Sequence, residues 1–189
     1  MNASISRSVG SLLLLLLLIG CTPKFTPTRQ QKQQSKLTTL LIQTQPQINH
    51  SEASTLAHEA IVYSQKLASQ YQVSTPPLLH NFLVNIRLKD RGLCYQWSDD
   101  LYRHLQQFHF KSIRLLPVGA YIGSYWREHN AIVVLPAHSN HLKEGILLDA
   151  WRASGKLYFI PITQDPDYHW QIRTDRCDVY STKTNQNGR

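Results

Sequence analysis

A chain of 189 residues with 42% hydrophobic and 17% charged side chains has material for one domain with a single core. Its 20 Lys and Arg outnumber 12 Asp and Glu, for a formal net charge of +8, a balance that suits an anionic partner. The start of the chain reads as an export signal, which excludes nucleic acid as that partner and leaves anionic headgroups or cell-wall polymer.

Residues 1–20, MNASISRSVGSLLLLLLLIG, carry Arg7, no acid and a run of leucines from 12 to 18 followed by Ile19. This apolar run is shorter than the roughly 20 residues a membrane-spanning helix needs, and it fits the hydrophobic region of a secretory signal peptide. Leu18-Ile19-Gly20-Cys21 resembles the lipobox of bacterial lipoproteins. The resemblance implies cleavage before Cys21, acylation of that cysteine and anchoring without a span. An ordinary signal peptide is the alternative. Thr22 stands where Asp marks inner-membrane retention in lipoproteins of enterobacterial type, so the resemblance points to the periplasmic side of the outer membrane. Residues 21–48 are rich in Gln, Thr, Lys and Pro, hold no acid, and carry Lys24, Arg29, Lys32 and Lys36. That composition predicts a lipidated cysteine followed by a flexible, solvated tether.

The domain is expected over 49–180, with 181–189 a polar tail. Ser51 and Glu52 open a predicted helix in which Leu56, Ala60, Tyr63, Ser64, Leu67 and Tyr71 recur at helical spacing. Pro76-Pro77 ends it. Leu79, Phe82, Leu83 and Ile86 mark a short second helix that stops near Asp90-Arg91-Gly92. A third runs from about Leu93 to Phe108, with Cys94, Trp97, Leu101, Leu105 and Phe108 on one face. Strands follow at Ile113–Val118, continuing or turning through Gly119–Gly123, then at 129–136 and 145–151. A turn over Ala153–Lys156 leads to LYFIPI. Helices first and hairpin-linked strands after predict an α+β domain, N-terminal helices packed on an antiparallel sheet.

Cys94 decides the functional reading. A thiolate needs help, and the first turn of a helix supplies unpaired N–H groups and a favourable dipole. Gly92 lets the chain approach closely. A base and a group to orient it are then required. His129 opens one strand and Asp149 lies towards the end of the next. In an antiparallel hairpin the two become cross-strand neighbours. Alternation groups His129 with Ala131, Val133 and Leu135, a face expected to pack on the Cys94 helix.

Gly92-x-Cys94-x-x-Trp97 at a helix start, His129-Asn130-Ala131 on a strand, and Asp149-Ala150-Trp151 on the next resemble the transglutaminase-like core of the papain-like cysteine superfamily. The resemblance covers about residues 80–162. It implies acyl transfer without a cofactor, with Cys94 as nucleophile, His129 moving the proton and Asp149 orienting the ring. Its substrates would be envelope proteins or peptidoglycan peptides. The Cys94 backbone N–H, Gln96, Trp126 and Asn85 are the oxyanion-hole candidates; the family's upstream glutamine has no counterpart, Leu88 lying near its expected place. Trp97, Tyr125 and Trp151 are cleft candidates, and Tyr168 and Trp170 join them as aromatics for a peptide or sugar. Other readings stand beside this one: Cys94 as core filling, a Cys94–Cys177 disulfide in a structural lipoprotein, and a catalytically silent binding module. His138, His141 and Glu144 offer a metal too few ligands in register, so no metal is expected.

Overall fold

The computed structural model describes residues 25–124 and 126–173. Lipidation at Cys21, the cleft candidate Tyr125 and the Cys94–Cys177 disulfide fall on, or depend on, residues outside these. The described residues form an α+β domain. Helices α1 (Pro27–Thr44), α2 (His50–Gln70), α3 (Pro77–Asn85) and α4 (Cys94–Gln106) precede an antiparallel sheet of β1 (Ile113–Ala120), β2 (His129–Pro136), β3 (Ile146–Asp149), β4 (Tyr158–Pro161) and β5 (Gln171–Ile172). Strand order is β4-β3-β2-β1-β5. Among the described residues no helix is long and apolar enough to cross a membrane.

The stretch expected to be a tether departs from that expectation at Pro27. Residues 27–44 form α1, and Leu37 and Leu41 are fully buried in the main core. Gln45 caps the arrangement, its Nε2 donating to the carbonyls of Val134 at 3.0 Å and Glu144 at 2.8 Å. Two leucines inserted between α2 and the sheet outweigh a polar, acid-free composition, since burying each contributes about 1.5–3 kcal/mol.

The α2 helix begins where the sequence places it, the Asn49 side chain accepting the backbone N–H of Ser51. The apolar stripe of α4 is buried through Trp97, Leu101 and Leu105, and it meets Ile132, Val134, Ile146 and Leu148 of the sheet. Across the sheet a second cluster gathers Val118, Ala131, Val133, Leu135, Leu147 and Ile162. With α4 over the even-numbered positions of β2, the face carrying His129 is turned away from the helices. This corrects the expectation that His129 shares its face with the Cys94 helix. Neither β5 nor α1 is foreseen from the sequence. A two-residue strand shows no alternation to read, and the helix is disguised by its glutamines.

Candidate active site

Cys94 begins α4, and everything around it fixes the preceding loop. Gly92 has φ +126, a conformation L side chains rarely adopt, and a Cβ there would lie 2.1 Å from His80 Nε2. The His80 ring is fully buried. It accepts the Ser74 N–H at Nδ1 (3.1 Å) and donates from Nε2 to the Arg91 carbonyl at 2.9 Å. Burial lowers its pKa, so the ring is a neutral brace between α3 and the loop. On the other side the Trp97 indole donates to the Gly92 carbonyl at 2.9 Å. Gln96 Oε1 accepts the N–H groups of Gly92 (2.7 Å) and Leu93 (3.1 Å), closing the helix start.

Although α4 packs on the opposite face from His129, its first residue stands at the end of the sheet, where β2 begins. The Cys94 thiol donates to the Glu128 carbonyl at 3.6 Å, and the Asn130 amide Nδ2 lies 3.7 Å from the sulfur. Glu128 and Asn130 flank His129 in the chain, so the strand start that reaches the sulfur also carries the ring, and Cys94 contributes to raising the pKa of that ring. The His129 Nε2 donates to Asp149 Oδ2 at 2.6 Å. The Ile132–Leu148 pairing sets the register, so Asp149 is a diagonal neighbour of His129 on one face.

Asp149 is 1% exposed yet fully supplied with donors. Besides His129 it accepts the N–H groups of Trp151 and Arg152, both at 3.0 Å, and the Arg152 Nε at 3.1 Å. Burial alone would raise its pKa; the His129 and Arg152 charges and these hydrogen bonds reverse that and hold the carboxylate ionised. Burial alone would likewise depress His129, but the Asp149 charge and hydrogen bond, with a smaller share from Cys94, raise it to about 9. That direction favours the protonated ring at neutral pH.

Arg152 belongs to this arrangement although nothing in the sequence singles it out. Its guanidinium spans Asp149 and Asp165, the latter at 3.0 and 2.8 Å, and lies against the rings of Tyr158 and Tyr168, 4.2 and 4.8 Å from their centroids. Asp165 also accepts the Trp170 indole N–H at 2.8 Å. Trp151, Tyr168 and Trp170 then enclose the His129 ring, with centroids 4.9, 4.7 and 5.5 Å away. Asn130 is likewise unforeseen. Its Oδ1 accepts from Arg173, 2.5 Å away, which also pairs with Glu128, so its NH2 group is turned to Cys94. The one available signal was adjacency to His129, because a strand's first residues are where both faces meet a helix end.

The remaining expected residues fall in several places. Gln96 applies its carbonyl oxygen to the helix cap. Asn85 is exposed on the last turn of α3, and Trp126 is 85% exposed in the β1–β2 turn. Trp97 is 1% exposed, so it braces the loop from within the core and lines no cleft. Trp151 stands against His129 and donates its indole N–H to Asn81 Oδ1 at 3.0 Å. Among the described residues no group of three His, Cys, Asp or Glu side chains is gathered for a metal. Glu144 accepts the Ser139 hydroxyl at 2.8 Å instead. Comparison with protein-family models, with curated proteins and with solved structures finds no match for this chain.

Proposed function

We propose that this chain is an envelope lipoprotein, anchored through acylated Cys21, whose Cys94, His129 and Asp149 carry out acyl transfer on amide bonds. The finer fold reading, a transglutaminase-like core of the papain-like superfamily, belongs to the same proposal. The observation that carries it is the His129 ring bonded to a buried carboxylate at 2.6 Å, between two residues, Glu128 and Asn130, that reach the Cys94 sulfur at 3.6 and 3.7 Å. Three residues distant in sequence meet in the order nucleophile, proton carrier and orienting group, each on the type of element that such chemistry uses.

The chemistry follows from that arrangement. The Cys94 thiolate attacks a carbonyl carbon, and the negative charge passes to the oxygen. The Cys94 backbone N–H, at the first residue of α4, and the Asn130 NH2, 3.7 Å from the sulfur, are the donors nearest that charge. The imidazolium gives its proton to the departing amine as the C–N bond breaks, leaving a thioester on Cys94 and a neutral ring. Water, or a second amine, then attacks the thioester. His129 takes the proton from the attacking group, the C–S bond breaks, and the thiolate–imidazolium pair returns. Water as acceptor gives hydrolysis, an amine gives transamidation, and the substrate class is an envelope protein or a peptidoglycan peptide. No step calls for a metal or cofactor.

Alkylation by iodoacetamide, read by mass spectrometry across pH, tests the reading. Cys94 should react near neutral and mildly acidic pH, where an ordinary thiol with pKa near 8.5 is mostly protonated. His129→Ala should move the profile towards that ordinary value, and Asp149→Ala should move it less. A slow reaction with the profile of a free thiol, unchanged in both variants, would remove the enzyme reading and leave a binding module.

A further inference from the structure

Among the described residues seven of the nine large exposed apolar side chains belong to two segments, Phe108 past the far end of α4 and Ile172 on β5 being the other two. On α3 and just past it, Leu78, Phe82, Ile86 and Leu88 are 71, 54, 47 and 69% exposed. The first three are spaced four apart, so they form one stripe along the helix. The β1–β2 turn adds Tyr121, Ile122 and Trp126, at 38, 38 and 85%. Both groups flank Cys94. His80 and Asn81 tie α3 to the Arg91 carbonyl and to Trp151, and the turn joins Ala120 to its strand partner His129.

The entry of the chain lies at this end too. Gln33 of α1 donates to the Leu157 carbonyl at 2.5 Å, in the turn that follows Asp149, whereas Gln45 at the other end of α1 meets Val134 and Glu144 far along the sheet. The helix therefore runs with its first residues towards the Cys94 end. From Cys21 to Pro27 is six residues, which span at most about 20 Å. Exposed Arg87 and Arg127 border the apolar groups, with Lys89 beside them and exposed Arg29 and Lys32 on the first turns of α1. Asp90 is an exposed acid among them.

We infer that the Cys94 end of the molecule docks on an anionic lipid bilayer, with the α3 stripe and the β1–β2 turn entering the headgroup region. Apolar side chains on a short helix, rimmed by cations, have the composition of an interfacial element, and each basic residue near an anionic surface adds to the attraction. An apolar exposure of this extent at one end of the domain also marks an interaction surface and not an ordinary solvated one. The short connection to Cys21 supplies the geometry. The docking goes beyond the proposed chemistry. It rests on the anchor reading for the geometry at Cys21, and on that chemistry only for its consequence, that Cys94 acts on amides presented at the membrane surface.

The test uses the chain from Thr22 onward, unacylated, which retains every described residue. It is sedimented with vesicles of phosphatidylethanolamine and phosphatidylglycerol at 3:1, and with phosphatidylcholine alone. Binding is expected to the anionic vesicles, weakened at high salt, with little to the neutral ones. Leu78→Ser with Phe82→Ser and Ile86→Ser should lower the partition by about tenfold or more. Circular dichroism and an unchanged melting temperature would show that these exposed changes leave the fold intact. Lys89→Glu with Arg127→Glu should weaken anionic binding and leave the weak neutral binding unchanged. Equal partition of wild type and the triple serine variant would overturn the inference. So would a concentration-dependent dimer, abolished by the same variant, in a protein that ignores vesicles; the stripe would then belong to a second copy. Binding that appears only once residues 174–189 are removed would assign the stripe to that segment. The acyl-transfer reading is tested separately by alkylation and the anchor by the intact mass of membrane-extracted protein, so each can fail alone.

Discussion

Gly92 and Asn130 shape the site as much as the three residues to which the proposed chemistry is assigned. At Gly92 a methyl group would collide with His80 Nε2 and impose a side chain on φ +126. Gly92→Ala should therefore cost on the order of 2–3 kcal/mol in urea unfolding, and the Cys94 alkylation rate should fall because the loop moves with the helix start. Unchanged stability would show that the loop tolerates the shift. Asn130 makes a sharper prediction. If its NH2 group serves the developing oxyanion, Asn130→Ala should slow acylation of Cys94 by a peptide thioester about 10²–10³-fold. The pH profile of alkylation should hardly move, because His129 and Asp149 are untouched. A profile displaced as far as in His129→Ala would mean that Asn130 supports the thiolate and not the transition state.

Element by element, the sequence was legible wherever one side chain period dominated. The face of α4 reads from Trp97, Leu101 and Leu105, and β2 from an unbroken run that the fold buries on both faces. That His129 and Asp149 meet across a hairpin follows from strand order, while the register makes them diagonal neighbours and not the directly opposed pair expected. The sidedness of the site did not follow, because both faces of β2 are apolar and nothing local says which one α4 will take. Arg152 and Arg173 were illegible for a related reason: their partners Asp165, Glu128 and Asn130 come together only when the sheet closes. The helix α1 was hidden by composition, since two buried leucines among glutamines give a weak stripe. Leu37→Ala and Leu41→Ala should each destabilise the domain by about 2–5 kcal/mol, as deletions from a packed core do. Changes below about 0.5 kcal/mol would mean that residues 27–44 behave as the tether their composition first suggested.

For the whole molecule, the buried charges make stability depend on pH in a definite direction. The His129 pKa is raised in the folded state, from an unfolded value of 6.5 to about 9. Its contribution is thus fully present below pH 6.5 and is lost as pH rises through 9, amounting to about 3 kcal/mol at most. Asp149 acts with the opposite sign. Its pKa is lowered from 3.8, so its contribution is present above that value and lost as pH falls below it. The same two groups that order the site therefore give the fold its greatest stability from weakly acidic to neutral pH. Asp149→Asn separates this linkage from the other groups that titrate. With the carboxylate gone, burial dominates at His129 and keeps the ring neutral, so nothing is left to lose between pH 6.5 and 9. Urea unfolding at pH 6, 7.5 and 9.5 should show wild type weakening across that window and Asp149→Asn, although less stable at every pH, staying nearly flat. Parallel curves for the two proteins would mean that the buried pair does not hold the proton that the proposed chemistry hands to the departing amine.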